Sequence, residues 1–181
     1  MKTLIYVRHG QTVYNLNKIT QGRVDSPLSE LGISQVKSLK ERLDLTHIDK
    51  VYVSPQGRAI QTASILVEDL YSLNIDERLR ELDFGIFDGR KEYLRTPFLL
   101  FTRGMNYKLF KGNSPKEMII NSKSFLKDLE DNKTYLIVGH GCFIFSAVSD
   151  LIKKPLMLFP KNASATIVVE ENNQYKVKEI L

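Results

Sequence analysis

Short apolar runs alternate with stretches of helical spacing along most of this chain. Thr3–Val7 is apolar on consecutive positions, which reads as a strand covered on both faces. Lys50–Val53 and Tyr135–Val138 read the same way. Between the first two, Ile33, Val36, Leu39 and Leu43 recur at helical spacing after Ser29 and Glu30. They predict an amphipathic helix with one buried stripe. After the second, Ser54-Pro55 predicts a capped helix start with proline at the first position. Ile60, Ala63, Val67 and Leu70 would be the buried face of that helix. Asn74–Glu77 predicts a short edge strand. Ser114-Pro115-Lys116-Glu117 is a capping-box pattern, and Met118, Phe125, Leu126 and Leu129 give the helix behind it a face. A helix from about Phe143 to Ile152 follows the Tyr135–Val138 strand. Ala165–Glu170 and Tyr175–Ile180 predict a closing pair of strands, turning through Glu171-Asn172-Asn173-Gln174.

Strand and helix therefore alternate, with no internal repeat or linker. The predicted class is α/β. The expected architecture is one three-layer α/β/α domain over residues 1–181, with a largely parallel sheet and helices on both faces. Val13 to Ser26 and Leu79 to Gly89 read as loops. The least regular stretch, 91–111, interleaves Tyr93, Phe98, Phe101, Tyr107 and Phe110 with Arg95, Arg103, Lys108 and Lys111. It reads as a short lid over one end of the sheet rather than a nucleic-acid surface, because no nucleic-acid module accompanies it.

Composition narrows the classes further. A chain of 181 residues with 43% hydrophobic positions buries an ordinary core. The formal charge of +5 suits an anionic partner without naming one. One cysteine allows no internal disulfide and no cysteine-based metal site. Arg8 interrupts the first apolar run too early for a secretory signal, and Phe143–Ile152 is too short to span a bilayer. A cytoplasmic protein with no membrane partner is the expectation.

The chemistry concentrates at strand ends. Arg8-His9-Gly10 leaves the first strand, Arg58 lies one helical turn beyond the second, and Gly139-His140-Gly141 leaves the strand at 135–138. In an open parallel sheet these ends converge on one edge, where ligands bind. Two arginines can grip a phosphate through paired hydrogen bonds. Either histidine can attack phosphorus if it is neutral and its other nitrogen is fixed. His47 lies outside this grouping and reads as a surface residue. Cys142 reads as a small buried thiol.

Several blocks then resemble a known family. Arg8-His9-Gly10-Gln11-Thr12-x-x-Asn15 is similar to the opening motif of the histidine phosphatase superfamily, in the branch of phosphoglycerate mutases and α-ribazole phosphatases. Gln21-Gly22-x-x-Asp25-x-Pro27-Leu28-Ser29-x-x-Gly32-x-x-Gln35 resembles its second block. Ser54-Pro55-x-x-Arg58-Ala59-x-Gln61-Thr62-Ala63 resembles its third. Arg80-Glu81-Leu82-Asp83-Phe84-Gly85 and Gly139-His140-Gly141 complete the order nearly end to end.

The resemblance implies roles. His9 would be the nucleophile, forming a phosphohistidine. Arg8, Arg58 and His140 would bind the transferring phosphoryl group. Glu81 would be the general acid and then the base that activates water, with Asp83 as its competitor. Asn15 and the Gln21-Gly22 backbone would complete the pocket, together with Gln11, Thr12 and Gly141. No metal or cofactor is implied. The chain departs from the family at Asn113, Asn121 and Phe145, around the outer wall and the lid, and those positions bear on the substrate.

Three functions remain at this point. The first is a phosphomonoester hydrolase acting on a small phosphorylated metabolite, with α-ribazole 5′-phosphate or a sugar phosphate as examples. The second is a phosphoglycerate mutase. Such enzymes carry a longer insertion between Glu81 and His140 and a C-terminal tail that keeps water off the phosphoenzyme, so hydrolysis is the expectation. The third is an idle relative that binds phosphorylated ligands. Compact phosphohistidine-protein phosphatases lack the acid, and Glu81 argues against that kinship. Oligomeric state is not readable.

Overall fold

A computed structural model describes residues 1–98, 106–172 and 174–181. Six strands form one sheet in the order β3-β2-β4-β1-β5-β6. They are β1 (Thr3–Arg8), β2 (Lys50–Val53), β3 (Leu73–Ile75), β4 (Thr134–Gly139), β5 (Ala165–Glu171) and β6 (Gln174–Ile180). β3, β2, β4 and β1 run parallel. β5 is antiparallel to β1, and β6 is antiparallel to β5. Phe101, Arg103 and Asn173 lie outside the described residues.

Consecutive apolar residues on β1 and β4 serve opposite faces. Leu4, Tyr6, Tyr135 and Ile137 pack with α4 (Pro115–Lys127) and α5 (Gly141–Leu151). Ile5, Val7, Leu136 and Val138 pack with α2 (Glu30–Arg42) and α3 (Gly57–Val67). This is why those strands read as unbroken apolar runs, and it gives the three expected layers. No helix among the described residues is long and apolar enough to cross a membrane.

Four sequence expectations are corrected. Ser54-Pro55 does not open α3; its N-cap is Gln56, which makes no side-chain cap bond. The hydroxyl of Ser54 is spent on His140, and Asp25 accepts from the Arg58 backbone N–H at the helix start instead. Leu70 is 73% exposed, because α3 stops at Val67 and Glu68 turns the chain with φ 49°. The edge strand is Leu73–Ile75, and Asp76 instead caps a single 3-10 turn at Glu77–Leu79. The loop after β1 contains the one-turn helix α1 (Val13–Leu16), held by a capping box between Thr12 and Asn15.

The described part of 91–111 packs as short 3-10 turns. Phe98 and Phe110 lie edge-on at 5.2 Å, and both rings meet Phe87. Tyr107 is fully buried against Phe84 and Phe110 packs partly on the same core cluster, whereas residues 91–98 are mostly exposed.

Candidate active site

The parallel strands end at one edge, and the register sets the site. Arg8 is paired with Gly139, and the His9 N–H donates to the Gly139 carbonyl at 3.0 Å. The Ser54 N–H donates to Val138 in the same tier. His9, Arg58, Glu81 and His140 thus meet at the carboxyl ends of β1, β2 and β4, each at most 6% exposed. The two imidazole rings lie 5.3 Å apart, edge to face.

The partners of His9 fix its protons. Nδ1 lies 2.8 Å from the Gly10 carbonyl, which only accepts, so Nδ1 carries the hydrogen. The Nε–H of Arg58 points at Nε2 across 3.2 Å, so Nε2 presents its lone pair. Burial pushes the imidazole well below its usual range, and the charges of Arg58 and Arg8 push it further. His9 is therefore a neutral, oriented base with Nε2 toward the site.

Arg58 is held on nearly every side. Nη1 donates to the Val24 carbonyl and to Asp25 Oδ1, both at 2.9 Å, and Nη2 donates to the Gly22 carbonyl at 2.9 Å. Of its five N–H donors, one on Nη2 is left for a ligand. Arg8 donates through Nη1 to the Pro160 carbonyl at 2.7 Å. Its Nε is buried without a hydrogen-bond partner among the described residues.

His140 is the N-cap of α5, and its Nε2 lies 2.7 Å from Ser54 Oγ. Its Nδ1 is buried and unpartnered among the described residues. Burial pushes this imidazole well below its usual range too, with Arg58 and His9 adding to the effect.

Glu81 reaches the first turn of α5. Oε1 accepts from the backbone N–H groups of Leu82 and Phe143, and Oε2 accepts from that of Cys142. Donors at a helix N-terminus hold a carboxylate in place. Asp83 is used differently: its Oδ1 accepts from the Gly85 N–H and shapes the turn there.

The other expected residues mostly support the site. Thr12 is fully buried, donates to Gln21 Oε1, and caps α1 with Asn15. The Gln11 backbone bonds Gln35 and Ser29. The Gly22 N–H is taken by Asp88, and its carbonyl serves Arg58. A Cβ at Gly22 would stand 2.4 Å from the Leu82 carbonyl oxygen, so only glycine lets these two loops close. Gly141 sits beside Arg8.

Four side chains escaped the sequence reading of the site. Asp25 neutralises Arg58 and Ser54 meets His140. Gln56 ties the Glu81 N–H to the Gly22 carbonyl. Asn162 bridges the His9 carbonyl and Asn15 Oδ1. The first three lie in or beside the motif blocks, where a polar residue next to an arginine or histidine is the available signal. Asn162 had none. Among the described residues no group of three His, Cys, Asp or Glu side chains is arranged to hold a metal ion.

Comparison with known proteins identifies the class. The family model described as "Histidine phosphatase superfamily (branch 1)" matches residues 4–180. The chain belongs to that superfamily and is an enzyme that hydrolyses phosphate esters. It is 37% identical over 150 residues to "Putative phosphoserine phosphatase 2" of Hydrogenobacter thermophilus, covering 78% of this chain and 74% of that one. It is 34% identical over 157 residues to "Fructose-2,6-bisphosphatase TIGAR B" of Danio rerio, covering 81% of this chain and 59% of that one. Among solved structures, Bacillus stearothermophilus YhfR superposes with a TM-score of 0.87 at 27% identity, covering 98% of this chain and 96% of that one.

Proposed function

We propose that this enzyme hydrolyses a small organic phosphomonoester through a phosphohistidine on Nε2 of His9, without a metal ion. The observation that carries this reading is the hydrogen-bonding of His9. Nδ1–H is tied to Gly10, so the one lone pair lies on Nε2, where it accepts from the Arg58 Nε–H across a long 3.2 Å contact that an arriving phosphoryl oxygen would take over. A neutral imidazole so oriented is a ready nucleophile toward phosphorus.

In the first half-reaction Nε2 attacks phosphorus and the ester P–O bond breaks. The departing alkoxide takes a proton from the Glu81 carboxyl. Arg8, Arg58 and the Nδ1 of His140 face the phosphoryl oxygens, where negative charge must be balanced in the transition state. In the second half-reaction the Glu81 carboxylate takes a proton from water as the water oxygen attacks phosphorus. The P–N bond breaks, inorganic phosphate leaves, and His9 and Glu81 return to their starting forms. Glu81 fits the acid role better than Asp83 because it is buried with His9, Arg58 and His140 at the strand ends, close enough to act on Arg8 and Arg58, whereas Asp83 shapes the Gly85 turn. Asn15, Gln11, Thr12, Gln21 and Gly22 act mainly by holding this frame.

The ligand is a small phosphorylated metabolite. Phosphoserine and fructose 2,6-bisphosphate enter as candidates from the names of the relatives, and α-ribazole 5′-phosphate and sugar phosphates from the sequence resemblance. Phosphate release would be measured over a phosphomonoester panel in EDTA, with 3-phosphoglycerate and its bisphosphate primer included. Metal-independent hydrolysis that disappears in His9→Ala and falls at least about 100-fold in Glu81→Gln is expected, as for a lost acid. Faster interconversion of phosphoglycerates than phosphate release would make the enzyme a mutase. Phosphate binding without turnover would make it a binding module.

A further inference from the structure

The phosphate grip opens beside an aromatic wall. The Phe159 ring lies 5.7 Å from the Arg8 guanidinium carbon, within cation–π reach. The next residue, Pro160, accepts the Arg8 Nη1 bond, so chain and ring approach Arg8 together. A Cβ added to Gly141, the residue after His140, would stand 2.7 Å from Phe159 Cε1. Phe159 therefore stands beside Arg8 and Gly141, on one side of the proposed phosphoryl site. Its ring is still 48% exposed.

A second ring extends the wall. Phe145 stands one turn along α5 from Gly141, on the same helix face. Its ring lies 5.7 Å from that of Phe159, tilted by 31°. Behind Phe145 a groove of about 460 Å³ runs between α4 and α5, with Pro115 and Ile119 in its lining. Neither ring can hydrogen-bond a carboxylate or a sugar hydroxyl, whereas both can stack on or pack against carbon.

From these placements we propose that Phe159 and Phe145 determine specificity, selecting phosphomonoesters whose alcohol carries an aromatic or apolar group two or three bonds beyond the ester oxygen. With the phosphate at Arg8 and His9, such a group covers the open face of Phe159 and removes both surfaces from water. A small polar alcohol leaves that face wet. This inference rests on the phosphatase reading above and names the substrate class of the same site.

The test uses alkyl esters of similar leaving-group basicity, so that chemistry does not imitate recognition. Ratios of kcat/KM would be measured for 2-phenylethyl phosphate against ethyl phosphate, with O-phosphoserine as a third substrate. The wild-type ratio of phenylethyl to ethyl ester should exceed about tenfold, the scale of one well-packed aromatic contact. Phe159→Ala should collapse that ratio toward one, and Phe159→Leu should keep part of it. Phe145→Arg should move the preference toward phosphoserine. A wild-type ratio near one, with both esters hydrolysed, would overturn the aromatic wall and leave the phosphatase reading standing. So would an unchanged ratio in Phe159→Ala. Failure to hydrolyse any ester in EDTA would instead overturn the phosphatase reading, and this inference with it. The wild-type ratio decides the matter even if a variant folds poorly.

Discussion

Arg58 donates its Nε–H to Nε2 of His9 across 3.2 Å, and this contact constrains both residues. It requires a lone pair on the imidazole, and the Gly10 carbonyl requires the hydrogen on the opposite nitrogen. The same arginine has three of its other four N–H donors committed to Val24, Asp25 and Gly22. Its guanidinium is therefore held in place, and the imidazole of His9, the proposed nucleophile, keeps one tautomer and one orientation. For Nε2 to attack, the Arg58 Nε–H must pass from the imidazole to a phosphoryl oxygen, a short exchange within an otherwise fixed frame.

Asp25 should then matter although it does no chemistry. Its carboxylate pairs with Nη1 of the fully buried Arg58. Asp25→Ala leaves that cation with the Val24 and Gly22 carbonyls and the neutral His9 imidazole, and with no counter-charge bonded to it. A loss of about 10- to 100-fold in kcat/KM is expected, equivalent to ~1.4–2.8 kcal/mol of transition-state stabilisation. Steady-state kinetics with circular dichroism as a folding check would measure it. Full activity would show that the Val24 and Gly22 carbonyls suffice.

Ser54 sets the tautomer of His140. If Nδ1–H is to donate to a phosphoryl oxygen, Nε2 must accept, and the Ser54 hydroxyl 2.7 Å away must be the donor. Ser54→Ala should lower kcat about tenfold, with a smaller change in thermal stability of ~1 kcal/mol. Ser54→Thr should restore part of the rate. An unchanged kcat in Ser54→Ala would mean that His140 finds its tautomer without help.

Gln56 is the hinge pin between two loops. Its Nε2 donates to the Gly22 carbonyl at 2.6 Å and its Oε1 accepts from the Glu81 N–H at 2.9 Å. Gln56→Leu would strand the buried Glu81 N–H and leave the Gly22 carbonyl with Arg58 as its donor, a cost of ~1–3 kcal/mol. Urea denaturation would read this directly, and a loss below ~0.5 kcal/mol would contradict it.

Much of this design was legible in the sequence, and the exceptions have physical causes. Arg8, His9, Arg58 and His140 stood out because strand ends are visible as the close of apolar runs. The helix carrying Arg58 was read two residues too early at its cap, because Ser54-Pro55 has capping chemistry but its hydroxyl is used on His140. Leu70 continued the helical spacing, and no glycine announced the turn at Glu68. The α1 helix has four residues, too few for periodicity to register. The Asn162 and Pro160 contacts cross about 150 positions of chain, and a backbone carbonyl on Arg8 leaves no trace in residue identity.

The two buried histidines also predict how stability follows pH. In the unfolded chain imidazoles titrate near about 6.5, whereas His9 and His140 are held well below this in the folded protein. As pH falls through about 6.5 the unfolded state takes up two protons that the folded state refuses. Their contribution to stability is complete above this value and is lost as pH falls. The slope approaches ~2.7 kcal/mol per pH unit for two such groups. Asp88, pushed up by burial, acts in the opposite sense nearer its own range. Urea midpoints between pH 7.5 and 5.5 should fall, and His140→Gln should about halve the slope. A midpoint independent of pH over that range would contradict the buried neutral pair.

The central claim is that His9 carries the phosphoryl group, and trapping that intermediate tests it most directly. The enzyme would be mixed with a ³²P-labelled monoester, quenched in alkali within milliseconds, digested and mapped by mass spectrometry. The expected result is one acid-labile, base-stable phosphoryl group on His9, formed before phosphate appears and absent in His9→Ala. Rapid turnover with no labelled histidine would contradict the claim, as would a label on His140.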